Sequence, residues 1–191
     1  MTGKEQLISR LNDAYAMEKA QHKILEGQLD DAKDFEDLRS RLEEHIQETN
    51  TQCDRLEQGI ESLGGKLSGM KGASGSFMGT IQGMTTGLGA DKLVKHTMAD
   101  FAAEHYEIAM YETIKTAATE LGYREIVQMC DDTIREEQDM ADFLHEQLPA
   151  TVTAAVQSAA GVETTEAEST AGARPEPAFG ERIDDNGEDV I

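Results

Sequence analysis

Apolar residues recur along most of this chain at three- and four-residue steps, the spacing that lines one face of an α-helix. Four helices are predicted. The first spans about Lys4 to Leu29, with the stripe Leu7, Leu11, Ala14, Glu18, Gln21, Leu25 and Leu29. The second spans about Phe35 to Leu63, with Phe35, Leu38, Leu42, His45, Thr49, Gln52, Leu56 and Ile60 on its stripe. The third covers about Asp91 to Leu121, on the face of Ala103, Met110, Ile114 and Ala118. The fourth covers about Tyr123 to Leu148, through Ile126, Cys130, Thr133, Glu137, Met140 and Leu144. No strand-like alternation competes with these stripes, so the fold class is all-α.

Only the polar stretch Asp30-Asp31-Ala32-Lys33-Asp34 separates the first two helices, and only Gly122 the last two. Each pair is therefore expected to fold back as an antiparallel hairpin. Gly64-Gly65 stops the second helix, Gly122 the third, and Pro149 follows the fourth. The hairpins are joined by a crossover over residues 64–90, as an up-down-down-up four-helix bundle requires. This segment holds nine of the 17 glycines, with Gly75, Gly79, Gly83 and Gly87 at four-residue steps. It reads as a flexible or partly helical linker; a membrane span is disfavoured because glycine, serine and threonine dominate it. From about Thr151 onward the chain is too poor in apolar residues to offset its ordering entropy and is expected to be disordered. Its first part, TVTAAVQSAAGV, can extend the last helix by a turn or two. The expected division is a four-helix domain over residues 1–149 and an acidic tail over 150–191.

Acids outnumber bases 38 to 17, a formal net charge of −21, and the excess runs through helices and tail alike. No basic patch is present to neutralise phosphates, which argues against nucleic acid and against an anionic membrane surface as partners. Such acidity with few lysines fits a halophilic protein kept soluble in concentrated salt, where screening removes self-repulsion; an ordinary acidic cytosolic protein is the alternative. Cys53 and Cys130 lie on different helices at stripe positions and read as buried thiols rather than a disulfide or zinc pair. The opening MTGKEQLISRLNDAY is an amphipathic helix, not a signal peptide, and a cytoplasmic location is expected.

The chemistry lies in the residues that interrupt the stripes. Glu18 and Glu48 are thirty residues apart, as are Glu107 and Glu137. With each turn near the midpoint, each hairpin brings its two carboxylates level, about 20 Å from the turn. A carboxylate on a core-facing stripe must be paired, protonated or bound to a cation. Four together, with His45 one turn before Glu48 and with Glu104 and His105 nearby, make an oxygen-rich set with one or two imidazoles that suits iron or manganese. The competing reading is that, among 38 acids, some fall near a stripe by chance and snorkel to solvent.

The segments YAMEKAQ (15–21), LEEHIQETNTQCDRLEQGIESLGGK (42–66), AEHYEIAMYETI (103–114) and DDTIREEQDMADFL (131–144) together resemble a ferritin-like family of uncharacterised function, typified by the bacterial YciF stress protein. The resemblance covers roughly residues 4–148. It implies a ferritin-like four-helix fold, a cytoplasmic homodimer and a rubrerythrin-like site for two iron or manganese ions. In that site Glu18 and Glu107 are the single-helix carboxylates and Glu48 and Glu137 their partners, with His45, Glu104 and His105 as further ligands. The chain departs from the usual Glu-x-x-His order: Glu48 is followed three residues on by Thr51, Glu137 by Met140, and the second helix reads His45-x-x-Glu48 instead. The implied activity is oxidation of Fe(II) by peroxide or oxygen in a stress response. The alternative is a metal-free helical scaffold or stress-protective binding protein that keeps the fold without catalysis.

Overall fold

The computed structural model describes residues 1–68, 79 and 90–171. These contain helices α1 (Gly3–Gln28), α2 (Glu36–Ser62), α3 (Ala90–Leu121) and α4 (Arg124–Ala171), and no strand among the described residues. The all-α expectation holds, and the first three helices begin and end within two residues of where their stripes place them.

Local chemistry sets the ends. Thr2 caps α1 through a capping box: its hydroxyl accepts from the Glu5 N–H at 3.2 Å, and the Glu5 carboxylate accepts from the Thr2 N–H at 2.7 Å. Helix α2 carries Glu36 and Asp37 in its first turn, where the helix dipole favours negative charge. Both α2 and α3 close in Schellman motifs. Gly64 at φ 70° and Gly122 at φ 77° adopt the left-handed conformation that costs an L side chain energy. Their N–H groups donate to the Glu61 and Thr119 carbonyls, and those of Gly65 and Tyr123 donate to Ile60 and Ala118.

Helix α4 does not stop before Pro149 but runs through it to Ala171. Proline lacks the N–H that would reach the His145 carbonyl, but its φ is already helical, so one rung is missing while the helix continues. The residues beyond it are rich in alanine, the strongest helix former. The chain divides into two compact units, Met1–Val156 with the polar layer and a second that begins at Gln157. The glycine repeat of the crossover, apart from Gly79, and the tail beyond Ala171 lie outside the described residues. No described helix is long and apolar enough to cross a membrane.

The core is divided into two apolar layers. One gathers Leu7, Leu11, Leu56, Ile60, Ile114, Ala118, Ile126 and Cys130. The other gathers Leu25, Leu38, Leu42, Leu93, Met140 and Leu144. The start of α1 thus meets the ends of α2 and α3 and the start of α4, so α1 is antiparallel to α2 and α3 and parallel to α4. Between the layers each helix contributes polar residues: Glu18 and Gln21, His45, Thr49 and Gln52, Asp100, Glu104 and Glu107, and Thr133 and Glu137, all buried. Cys53 and Cys130 are buried free thiols, each pushed up to about 12 by burial and so unreactive.

Two glycines give opposite expectations. A Cβ at exposed Gly27, inside α1, meets nothing within 4 Å, and neither does one at Gly122. Gly27→Ala should therefore raise unfolding stability by about 0.5–1 kcal/mol through helix propensity alone. Gly122→Ala should lower it by about 1–2 kcal/mol through the left-handed backbone alone. Urea denaturation of the two variants checks both signs.

Candidate metal centre

The polar layer owes its composition to the line each helix presents to the bundle axis. On α2 the buried line steps through Leu42, His45, Thr49, Gln52 and Leu56. Glu48 is one residue, or about 100° of helix, off this line, and its side chain keeps 26% exposure. On α3 the line runs His96, Asp100, Glu104, Glu107 and Tyr111, all buried. His105, one residue round from Glu104, is exposed and packs edge-on against Phe101 with ring centres 4.6 Å apart.

His45, Glu104, Glu107 and Glu137 come together: each offers one ligand atom, and the four atoms lie within 4.8 Å of one another. The His45 Nε2 is 3.3 Å from Glu104 Oε2 and 3.5 Å from Glu137 Oε2. Its Nδ1 is 2.8 Å from Glu48 Oε2, which also accepts from Arg41 Nη1 at 2.9 Å. Glu18 is buried beside this group but not within it; its Oε1 accepts a 2.7 Å hydrogen bond from the Tyr111 hydroxyl. Gln52 Nε2 donates to Glu137 Oε1 at 2.5 Å. Of the seven residues singled out in the sequence, the structure therefore gathers four. It sets Glu18 alongside them, turns Glu48 outward onto the back of His45, and leaves His105 at the surface.

Both carboxylate oxygens of Glu104 and Glu107, Glu137 Oε2 and His45 Nε2 are buried without a hydrogen-bond partner. Orphaned acceptors are costly in a low-dielectric interior. Four residues converge here with theirs, and a divalent cation with oxygen and imidazole ligands fits that donor set.

Burial governs the ionisation of the layer. It raises Glu18 to about 7 despite the Tyr111 hydrogen bond, and Asp100 to about 8 despite one from Gln28. Glu107 and Glu137 are raised well above the carboxylate range, by burial first and then by neighbouring acids. For His45 burial acts downward, but Glu104 and Glu48 outweigh it and carry the imidazole up to about 10. For Glu48 burial acts upward, yet hydrogen bonds from His45 and Arg41 hold it below its ordinary value.

Asp100, Tyr111 and Gln28 are absent from the sequence-based site. Gln28 Nε2 donates to Asp100 Oδ1 at 3.1 Å. The signal for the α3 members was the i, i+4, i+8, i+11, i+15 recurrence of His96, Asp100, Glu104, Glu107 and Tyr111, a continuous polar line with no aliphatic residue to draw attention to it. His96 is buried, with its Nδ1 3.5 Å from Asp31 Oδ2.

The profile of one protein family, described as a domain of unknown function (DUF892), matches residues 2–157. The chain belongs to the DUF892 family. Protein YciF of Escherichia coli K12 is 32% identical over 139 residues, covering 69% of this chain and 81% of YciF. The crystal structure of that stress protein superposes with a TM-score of 0.70 at 29% identity, over 80% of this chain and 98% of YciF. A protein from Xanthomonas campestris pv. campestris gives 0.70 at 30% identity, over 83% and 98% of the two chains. A ferritin-like diiron-carboxylate protein from Bacillus anthracis gives 0.63 at 20% identity, over 78% and 99%. This DUF892 bundle is therefore ferritin-like in fold, as its sequence resemblance implied.

For each raised carboxyl the folded state holds its proton more tightly than the unfolded chain does. Stability is then greatest in acid and falls as pH rises from the ordinary carboxylate range through about 7 for Glu18 and about 8 for Asp100. His45 acts with the same sign: its contribution is full below 6.5 and is lost as pH rises through about 10. Chelator-treated protein should melt at lower temperature at about pH 8 than at about pH 5.5, with a shallower dependence in Asp100→Asn. Thermal melts followed by circular dichroism check this; a melting temperature that climbs over the same interval contradicts it.

Proposed function

We propose that this protein is a ferritin-like stress-response metalloprotein whose buried group of His45, Glu104, Glu107 and Glu137 holds divalent first-row metal, iron or manganese. The observation that carries this reading is the convergence of buried carboxylate oxygens and one imidazole nitrogen without hydrogen-bond partners. Ionising an interior carboxylate cluster requires positive charge, and His45 alone offers one against three acids. One nitrogen and many oxygens favour iron or manganese over zinc or copper, whose preferred sites carry more nitrogen or sulfur.

Each residue has a part of its own. His45 presents Nε2 from α2 while Glu48 holds its other nitrogen. Glu104 and Glu107, one turn apart on α3, offer four oxygens between them, enough to serve two neighbouring ions. Glu137 is anchored through one oxygen by Gln52 and directs the other inward. Glu18, steadied by Tyr111, is the remaining carboxylate for a second ion. The apolar layers on either side exclude bulk water. When bound, a two-ion centre would supply oxidation of Fe(II) by peroxide or oxygen; with peroxide as the oxidant, both members of a Fenton pair are consumed. The stress role is carried over from the E. coli relative, whose description is that of a stress protein.

The test is metal content by elemental mass spectrometry after anaerobic reconstitution with Fe(II) or Mn(II), on wild type and on Glu107→Ala/Glu137→Ala. Roughly two ions per chain are expected, as in dinuclear carboxylate bundles, with loss in the double variant and slower peroxide-dependent Fe(II) oxidation. An unmetallated wild type whose stability rises on the same substitutions would instead mark the group as an unpaired buried cluster, because removing it relieves a desolvation cost.

A further inference from the structure

We propose that Glu48 is a positioning residue of the metal centre rather than one of its ligands: anchored by Arg41, it fixes the His45 ring so that Nε2 alone faces the cation. The inference rests on the metal-binding reading above and gives a role to Glu48, which the cluster leaves out.

The geometry is specific. One oxygen, Glu48 Oε2, lies 2.8 Å from His45 Nδ1 and 2.9 Å from Arg41 Nη1. It is thus engaged twice, on the side of the imidazole away from the cluster. The opposite ring nitrogen, Nε2, points between Glu104 Oε2 at 3.3 Å and Glu137 Oε2 at 3.5 Å. The His45 side chain is 1% exposed while that of Glu48 is 26% exposed, so the pair runs from the interior outward along α2. Arg41 Nη1 also reaches Glu44 at 3.6 Å, completing an anchor at the helix surface.

A neutral imidazole carries a proton on one nitrogen and a lone pair on the other, and a ligand must offer the lone pair. A carboxylate behind Nδ1 retains the proton there, leaves Nε2 as the donor, restrains ring rotation and raises the basicity of the ligand. For Glu48 to become a ligand, its oxygen would have to leave both His45 and Arg41 and cross the helix line to the face held by Thr49. The arrangement also accounts for the order His45-x-x-Glu48 in place of Glu-x-x-His. The turn of helix that would have carried carboxylate then imidazole into the core carries imidazole inward and its supporting carboxylate outward.

The experiment compares wild type, Glu48→Ala and Glu48→Gln as full-length chains, with circular dichroism showing equal helicity. Mn(II) affinity and stoichiometry are measured by equilibrium titration. The His45 ring nitrogens are read by 15N NMR of the protein loaded with diamagnetic Zn(II). Glu48→Ala should weaken Mn(II) binding about 10–100-fold at unchanged stoichiometry, and should broaden or shift the pattern of a protonated Nδ1 and a metal-bound Nε2. Glu48→Gln, whose amide oxygen still accepts from Nδ1–H, should keep that pattern and recover part of the affinity. Loss of an ion per chain in Glu48→Ala would make Glu48 a ligand and overturn the proposal. Unchanged affinity and unchanged ring shifts would overturn it by making Glu48 a bystander. A wild type that binds neither cation would overturn this proposal together with the metal-binding reading; binding that is indifferent to Glu48 overturns this proposal alone.

Discussion

The burial of several carboxylates in one layer of a four-helix bundle is the constraint on which the rest of this structure turns. Taking an ionised carboxylate out of water costs several kcal/mol even after relaxation, and acids within a few ångströms of each other raise that cost further. The protein meets it with protons, with one imidazole and with a few donors: Tyr111 to Glu18, Gln52 to Glu137 and Gln28 to Asp100. These do not suffice for Glu104 and Glu107, all four of whose carboxylate oxygens lack a hydrogen-bond partner, although Glu104 faces the His45 ring at 3.3 Å. A cation in the midst of the group would offset the same cost more completely.

Such a layer survives because of what lies on either side of it. The apolar clusters above and below, anchored by fully buried residues such as Leu7, Leu11, Leu56 and Ile60 at one end and Leu25 and Leu144 at the other, supply the cohesion that the polar middle lacks. They also keep the layer dry, which strengthens every electrostatic interaction within it. The short α1–α2 and α3–α4 turns complete the arrangement. The left-handed glycine after α3 allows the chain to reverse at once, so that Glu107 and Glu137 reach the same level from opposite directions. A longer turn would slide one helix against the other and separate side chains whose polar atoms here lie within a few ångströms.

Around the layer the charges are organised by depth. Inside are the buried carboxyls; at the boundary are residues such as Glu48 and Glu136, which pair with Arg41 and Arg55 and touch the interior group through His45 and Gln52. These arginines are among few cations in a strongly acidic chain. Their placement against the residues that support the cluster joins the surface ion pairs to the geometry of the centre, whereas isolated surface pairs such as Arg39–Glu43 add only a few tenths of a kcal/mol.

Among the described residues, the four long helices, the ends of the first three and much of the polar layer were legible in the chain because they depend on local rules. Periodicity of 3.6 marks the buried face, glycine marks the left-handed stop, and an acid on an apolar stripe marks a position that needs explanation. Glu18, Glu107 and Glu137 were found in this way and are buried. The rule of equal spacing from the turns failed on α2, where it pointed to Glu48. A spacing argument resolves the level of a residue along the bundle but not its angle round the helix, and 100° separates a core position from a flank. The same limit kept His105 in the sequence-based set and left out Asp100 and Tyr111, which continue the buried line of α3. Pro149 was a local stop signal that the following alanine-rich segment overrode. What the sequence determined by itself was the class of fold and the need for compensating charge in its middle. Which carboxylates converge, which one lies on the outer side of the imidazole, and which ring nitrogen faces the cluster were decided by tertiary packing, since only the mutual rotation of four helices brings particular oxygens within ångströms of one another.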